Sequence, residues 1–181
     1  DKFLDADRKK YKVENLELFL VEGDSAGGHF KYGREDYQGA LKLRGKMINA
    51  AKYGADKLIG NSKGGGNKEI RDLITVLGCG ILSKCDISKL RFNKLILLMD
   101  ADVDGGHIVN LALAFIVNYI PELIKEGHVY VIDAPLFVGS SATYRAFGNT
   151  RNEIEIEMKE KGIKKYDILR LKGWGEVSAD Q

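Results

Sequence analysis

The sequence predicts an α/β domain, a parallel sheet flanked by helices, followed by a small C-terminal α+β appendage. Short runs that are apolar on both faces recur along the first 135 residues, and segments of helical periodicity lie between them. Beyond Pro135 the pattern changes to short strands around one charged helix. Runs apolar on both faces suit strands buried in a parallel sheet. Strand–helix alternation is the mark of an α/β layer. The division expected is a core over residues 1–135 and an appendage over 136–181.

The first strand is Leu16 to Val21 (LELFLV), followed at once by the acidic turn Glu22-Gly23-Asp24. Gly60 to Asn67 (GNSKGGGN) lacks the G-K-[ST] ending of a phosphate-cradling loop, so it reads as a linker. Lys68 to Leu77 places Ile70, Leu73, Ile74 and Leu77 at helical spacing, with Gly78 as the stop. Lys94 to Met99 (KLILLM) is the second strand and runs into DADVDG. His107 to Lys125 is apolar nearly all round, a helix that is buried or faces a partner, with Pro121 as a kink point. Gly127 ends it, and Val129 to Ile132 is the third strand. In the appendage Ala142 to Phe147 and Tyr166 to Leu171 read as strands, with a charged helix over Arg151 to Lys161.

Composition narrows the function classes. A hydrophobic fraction of 44% against 30% charged residues argues for a globular domain and against disorder. The net charge of +2 does not mark a nucleic-acid binder, so any contact with DNA must come from local basic clusters. Cys79 and Cys85 form no disulfide framework and no zinc spacing, as expected of reduced thiols in a cytoplasmic protein. The most apolar stretch, Ile108 to Ile120, is interrupted by Asn110 and Asn118. It also falls short of the roughly 18 apolar residues a membrane span needs. A start at Asp1 and an end at Gln181 in a polar run suggest a segment of a longer polypeptide.

The chemistry is concentrated in the carboxylates. Glu22 and Asp24 close one predicted strand; Asp100, Asp102 and Asp104 close another. In an open parallel sheet the ligand crevice lies at the carboxyl ends of the strands. Neighbouring strands are about 4.8 Å apart, so the two acidic turns can share one pocket. Carboxylates gathered there repel one another, and a hard cation such as Mg²⁺ relieves that repulsion. An EF-hand loop also opens D-x-D-x-D-G, but its twelfth position here is Leu111 and a strand precedes it. An aspartyl-phosphate phosphatase fits DADV but leaves EGDSA unexplained.

Six blocks in order, ELFLVEGDSAGG, LRGK, LITVLGCGI, LLMDADVDGGHI, PELIKEGHVYVIDAPLF and LKGWGE, resemble the Toprim domain of type IIA DNA topoisomerases. The bacterial gyrase B and topoisomerase IV branch is the nearer likeness, and the blocks cover nearly the whole chain. The resemblance implies a Rossmann-like Toprim sheet. It also implies an Mg²⁺-binding DNA cleavage and religation domain that changes DNA topology. One or two Mg²⁺ ions would be held by Glu22, Asp100 and Asp102, with Asp104 beside them; Glu22 would also serve as an acid/base group. Arg44 and Lys46 of LRGK and Lys172 of KGWGE would contact double-stranded DNA. The catalytic tyrosine would come from a gyrase A-like breakage-reunion subunit, and ATP would bind in a region outside these residues. The pattern departs from the family at Lys42, Met99, Val109 and Trp174, none of them in the acidic set. A primase or an OLD-type nuclease would share the glutamate and the DxD but not LRGK or KGxGE. A DNA-binding or subunit-docking module without activity is the non-enzymatic alternative.

Overall fold

A computed structural model describes residues 2–23, 33–44, 47–61, 64–100, 102–132 and 135–171. Five strands form the main sheet: β1 (Phe3–Leu4), β2 (Glu17–Glu22), β3 (Gln38–Leu43), β4 (Lys94–Leu98) and β5 (Val129–Val131), in the order β1-β3-β2-β4-β5. All neighbours pair in parallel except β1, which runs antiparallel to β3. The predicted strands are β2, β4 and β5. The additional central strand β3 carries Gly39 and Lys42, residues poor in β-propensity.

Alternation along the strands separates two apolar faces. Leu18, Leu20, Leu41, Leu43, Leu95, Leu97 and Met99 belong to the larger core. Phe19, Val21, Ala40, Ile96 and Leu98 belong to a smaller cluster on the opposite face. The larger core takes its other half from α1 (Ala55–Ile59), α2 (Lys68–Leu77), α3 (Val103–Tyr119) and α4 (Glu122–Lys125). In α2 the Asn67 side chain caps the first turn by accepting from Ile70 N at 3.1 Å, and left-handed Gly78 closes the last turn. The long apolar helix ends at Tyr119, and Pro121 opens a separate short helix rather than kinking a continuous one. Among the described residues no helix is long and apolar enough to cross a membrane.

Cys79 is buried, and that burial pushes its thiol up to about 11, so it is not a reactive nucleophile at neutral pH. Tyr119 is buried as its apolar helix predicts, whereas Tyr130 is exposed. The difference arises because β5 is the edge of the sheet and Tyr130 shares its outer side with solvent.

The C-terminal segment folds as a second, antiparallel sheet of β6 (Phe137–Ser140), β7 (Arg145–Gly148) and β8 (Asp167–Arg170), in the order β7-β6-β8. Helix α5 (Arg151–Glu160) packs on it through Ile154 and Met158, both fully buried. Thr150 caps α5, its Oγ1 accepting from Glu153 N at 3.2 Å while Glu153 bonds back to Thr150 and Asn149, a capping box. The expected strand over Ala142 to Phe147 resolves into β7, which starts at Arg145. Its pairing strand β6 has no counterpart in the sequence pattern, because Gly139 and Ser140 weaken the apolar alternation.

Gly39 explains how a weak strand former sits in the middle of the sheet. A Cβ there would lie 2.9 Å from Phe92 Cε1 and 3.1 Å from the backbone oxygen of Leu4. Phe92 is fully buried and meets Phe3 edge to face at 6.3 Å, so its ring has nowhere to retreat. Gly39→Ala is therefore expected to destabilise the fold by about 1–3 kcal/mol through overpacking. In urea the midpoint should fall with the m-value unchanged, and a midpoint equal to wild type would show that β1 and Phe92 yield freely.

Candidate functional site

The sheet order places a topological switch point between β2 and β4. From β2 the parallel part of the sheet grows to β3 on one side and to β4 and β5 on the other. Ligands of open α/β sheets bind outside the carboxyl ends at such a point. Glu22 is the last residue of β2 and stands in register with Leu43, the last residue of β3. Arg44 follows Leu43 directly, so residues 22 positions apart in sequence come to adjacent strand ends. On the other side Val21 is in register with Leu98, which brings Met99 level with Glu22 and Asp100 one residue beyond. Arg44, Glu22 and Asp100 thus mark three successive strand ends. Glu22 and Asp100 are half-buried, and Arg44 is exposed.

Asp100 leads through a tight turn into α3. Asp102 is the N-cap of α3: its Oδ1 accepts from Gly105 N at 2.7 Å. The helix begins at Val103, ahead of the predicted start, because Asp102 supplies a side-chain cap that Gly105 and Gly106 cannot. Gly105 is required by close approach. A Cβ there would lie 2.1 Å from Asp100 O and 3.0 Å from Asp100 N. At Gly106 nothing lies within 4 Å. Asp104 and His107 are exposed on the first turns of α3.

A cleft of about 600 Å³ opens at this sheet edge, lined by Met99, Asp100, Asp102, Gly105 and Gly106, by Val131 and Ile132 from the end of β5, and by Asn149 from the appendage. The free N–H groups of the first turn of α3 face the side on which Asp102 caps it, a polarity that favours an anion such as a phosphate. The available donors are carboxylate oxygens, the hard ligands that suit Mg²⁺. Gly105 keeps the α3 backbone against Asp100, and the donor set fits a small hard cation in kind. Among the described residues, however, no three His, Cys, Asp or Glu side chains are gathered as a ready metal cage. Like charges at one sheet edge repel, and Asp102 has one oxygen committed to the helix cap. Asp24, Lys46 and Lys172 lie outside the described residues.

Residues 17–134 match the Toprim domain family. The chain belongs to the Toprim family. The matched span covers β2 to the end of β5, hence every strand end of the candidate site. This Toprim chain is 40% identical over 179 residues to the B subunit of DNA gyrase from Clostridium acetobutylicum, covering 97% of this chain and 27% of that protein. It is 41% identical over 179 residues to the gyrase B protein of Staphylococcus epidermidis, again 97% and 27%. With that of Thermus thermophilus it shares 39% over 184 residues, 97% and 28%. It is a Toprim domain of the gyrase B type, and it spans about a quarter of the length of these relatives.

One residue beside the Toprim site carries no motif in the sequence. Glu69, in the first turn of α2, is buried with 6% exposure and accepts the backbone N–H of Arg44 at 3.4 Å. A signal is nevertheless present: Glu69, Leu73 and Val76 fall at i, i+4 and i+7, which puts the carboxylate on the buried stripe of the helix.

The two glycines of the Toprim turn make opposite predictions. Gly105→Ala is expected to lose about 1–3 kcal/mol, since its methyl group meets backbone that cannot move without shifting Asp100. Gly106→Ala is expected to be neutral or to gain up to about 1 kcal/mol, because Ala favours the helix and meets nothing. Thermal unfolding of the two variants side by side decides it; equal midpoints would mean that the turn is looser than described.

Proposed function

We propose that this Toprim chain is the Mg²⁺-binding DNA cleavage and religation domain of an ATP-dependent type IIA DNA topoisomerase. Its place of work is the cytoplasm, and its partners are double-stranded DNA and a gyrase A-like breakage-reunion subunit. The observation that carries this reading is the row Arg44, Glu22, Asp100 on three successive strand ends at the switch point. A cation and two carboxylates side by side suit a reacting phosphodiester, which needs charge offset and a metal at once. The relatives named as gyrase B proteins support the same substrate.

Glu22, Asp100 and Asp102, with Asp104 beside them, would hold one or two Mg²⁺ ions. When bound, Mg²⁺ supplies Lewis-acid polarisation of the phosphate and stabilises the leaving oxygen. Glu22 would exchange a proton with the 3′ oxygen as an acid/base group. Arg44, Lys46 and Lys172 would offset the charge of the DNA backbone and fix its register. The transfer itself is a reversible displacement in which a tyrosine hydroxyl attacks phosphorus, the 3′ oxygen leaves, and a 5′ phosphotyrosine forms.

That tyrosine belongs to the partner subunit. No tyrosine of the described residues lines the cleft. Tyr144 donates to Glu157 Oε1 at 2.5 Å, and this hydrogen bond raises its pKa, the wrong direction for a nucleophile. ATP binding and its coupling to strand passage would lie in the remaining length of the parent subunit.

Two experiments test this reading. In the full-length subunit reconstituted with its breakage partner, Glu22→Ala, Asp100→Ala and Asp102→Ala should each lower Mg²⁺-dependent plasmid cleavage at least about 100-fold while DNA binding persists. Wild-type cleavage by Asp102→Ala would remove it from the metal set. The chain alone, incubated with Mg²⁺ and supercoiled plasmid, should form no covalent adduct at a 5′ DNA end. An adduct that disappears on mutating one internal tyrosine would make the chain self-sufficient and overturn the partner assignment.

A further inference from the structure

Three parts of the chain meet at a partly buried charge cluster beside Arg44. The ammonium of Lys2 lies 2.7 Å from Glu69 Oε2 and 2.5 Å from Asp72 Oδ2. Lys68 reaches Asp72 from the solvent side at 2.8 Å. Lys2 is itself fixed to the sheet, since its backbone oxygen accepts from Lys42 N at 2.9 Å. A proline at position 42 would have no N–H to donate to that bond. The same Glu69 oxygen that binds Lys2 accepts the backbone N–H of Arg44, the first residue past β3.

We propose that Glu69 is a positioning residue for Arg44. It holds the exit of β3 so that the guanidinium of Arg44 is presented to a DNA phosphate at the Toprim site. This rests on the reading of Arg44 as a DNA contact given above. The bond at 3.4 Å is long, so its hold depends on the acceptor being an ionised carboxylate, which strengthens hydrogen bonds to N–H groups. Lys2 supplies the countercharge for that carboxylate inside the protein. Burial alone would lower the pKa of Lys2, but hydrogen bonds to Asp72 and Glu69 outweigh it and raise the value. Asp72, partly desolvated, is nevertheless lowered by its bonds to Lys2 and Lys68. The ammonium therefore stays charged at neutral pH and is shared between two carboxylates. Only one of the two, Glu69, reaches the strand end. Asp72 serves the same ion cluster without touching Arg44, which separates a positioning role from a merely structural one.

The test measures DNA affinity against salt concentration for the full-length subunit with its breakage partner. Arg44→Ala should reduce the slope of log affinity against log salt by about one unit, as for one lost phosphate contact. Glu69→Leu, which fills the space but offers no acceptor, should reduce the slope as far, and the double variant E69L/R44A no further. Glu69→Gln, which keeps an acceptor oxygen but not its charge, should recover only part of the slope. Asp72→Asn should leave the slope at the wild-type value while lowering the thermal midpoint. If E69L does not fold, the variant K2M/E69L removes both charges together and gives the same comparison. Additive losses in E69L/R44A, or a wild-type slope in E69L, would overturn the positioning role and leave Arg44 as a DNA contact. A wild-type slope in Arg44→Ala would overturn the DNA-contact reading itself.

Discussion

The parallel pairing of β2 with both of its neighbours is the constraint on which the site depends. Leu18, Leu20 and Val21 are fully buried, and they alternate between two apolar faces. A slip of one residue in β2 would exchange those faces and bury nothing correctly, so the register is strongly specified. The same register sets Glu22 beside Leu43 and one residue short of Asp100. The position of the acid is thus a by-product of core packing that the chain cannot vary cheaply. Fully burying one such aliphatic side chain contributes about 1.5–3 kcal/mol, several times the worth of an exposed charge pair. The carboxylates can repel one another at the strand ends because apolar burial holds the strands beneath them far more strongly.

At the turn after β4 folding and chemistry draw on the same atoms. Asp102 stabilises α3 by capping it, a contribution of about 1 kcal/mol, and that fixes one of its oxygens toward Gly105. Gly105 permits the helix to start against Asp100 O, so the acidic turn and the positive end of the helix dipole stand together. An arrangement that favours anions thereby adjoins a set of donors that favours cations. In the function proposed, a phosphodiester with its bound Mg²⁺ would present both charges to this neighbourhood.

The legible parts of the sequence are those governed by periodicity. Strands β2, β4 and β5 are readable because they are apolar on both faces, and α2 because Ile70, Leu73, Ile74 and Leu77 mark one stripe before Gly78. The placing of Glu22 and Asp100 at neighbouring strand ends is readable because each follows such a strand directly. What escapes depends on contacts between distant residues. β3 is a strand because Gly39 fits beneath Phe92, and no local pattern announces that ring. Its buried Lys42, at 8% exposure, reads locally as a surface residue. Spacing puts Glu69 on the buried stripe of α2, yet its partner Lys2 stands near the start of the chain, on the far side of β2 and β3 in sequence. Tyr130 reads as core because its neighbours are apolar; only the strand order makes β5 an edge.

Electrostatics then limits which strand ends can act together. The site is open to water, and at physiological ionic strength exposed charges are screened over about 8 Å. Adjacent strands stand about 4.8 Å apart, a separation at which two unit charges at an effective dielectric of about 20 would interact by about 3.5 kcal/mol. Strand ends two positions apart are separated by about 10 Å, beyond the screening length. Of the three strand ends, that of Glu22 on β2 is adjacent to both of the others, whereas Arg44 past β3 and Asp100 past β4 stand two strand positions apart. Glu22 thus stands between a strand end that carries a cation and one that carries a carboxylate. The order β3-β2-β4 decides which of these residues stand side by side, as much as their identity decides the charge each brings.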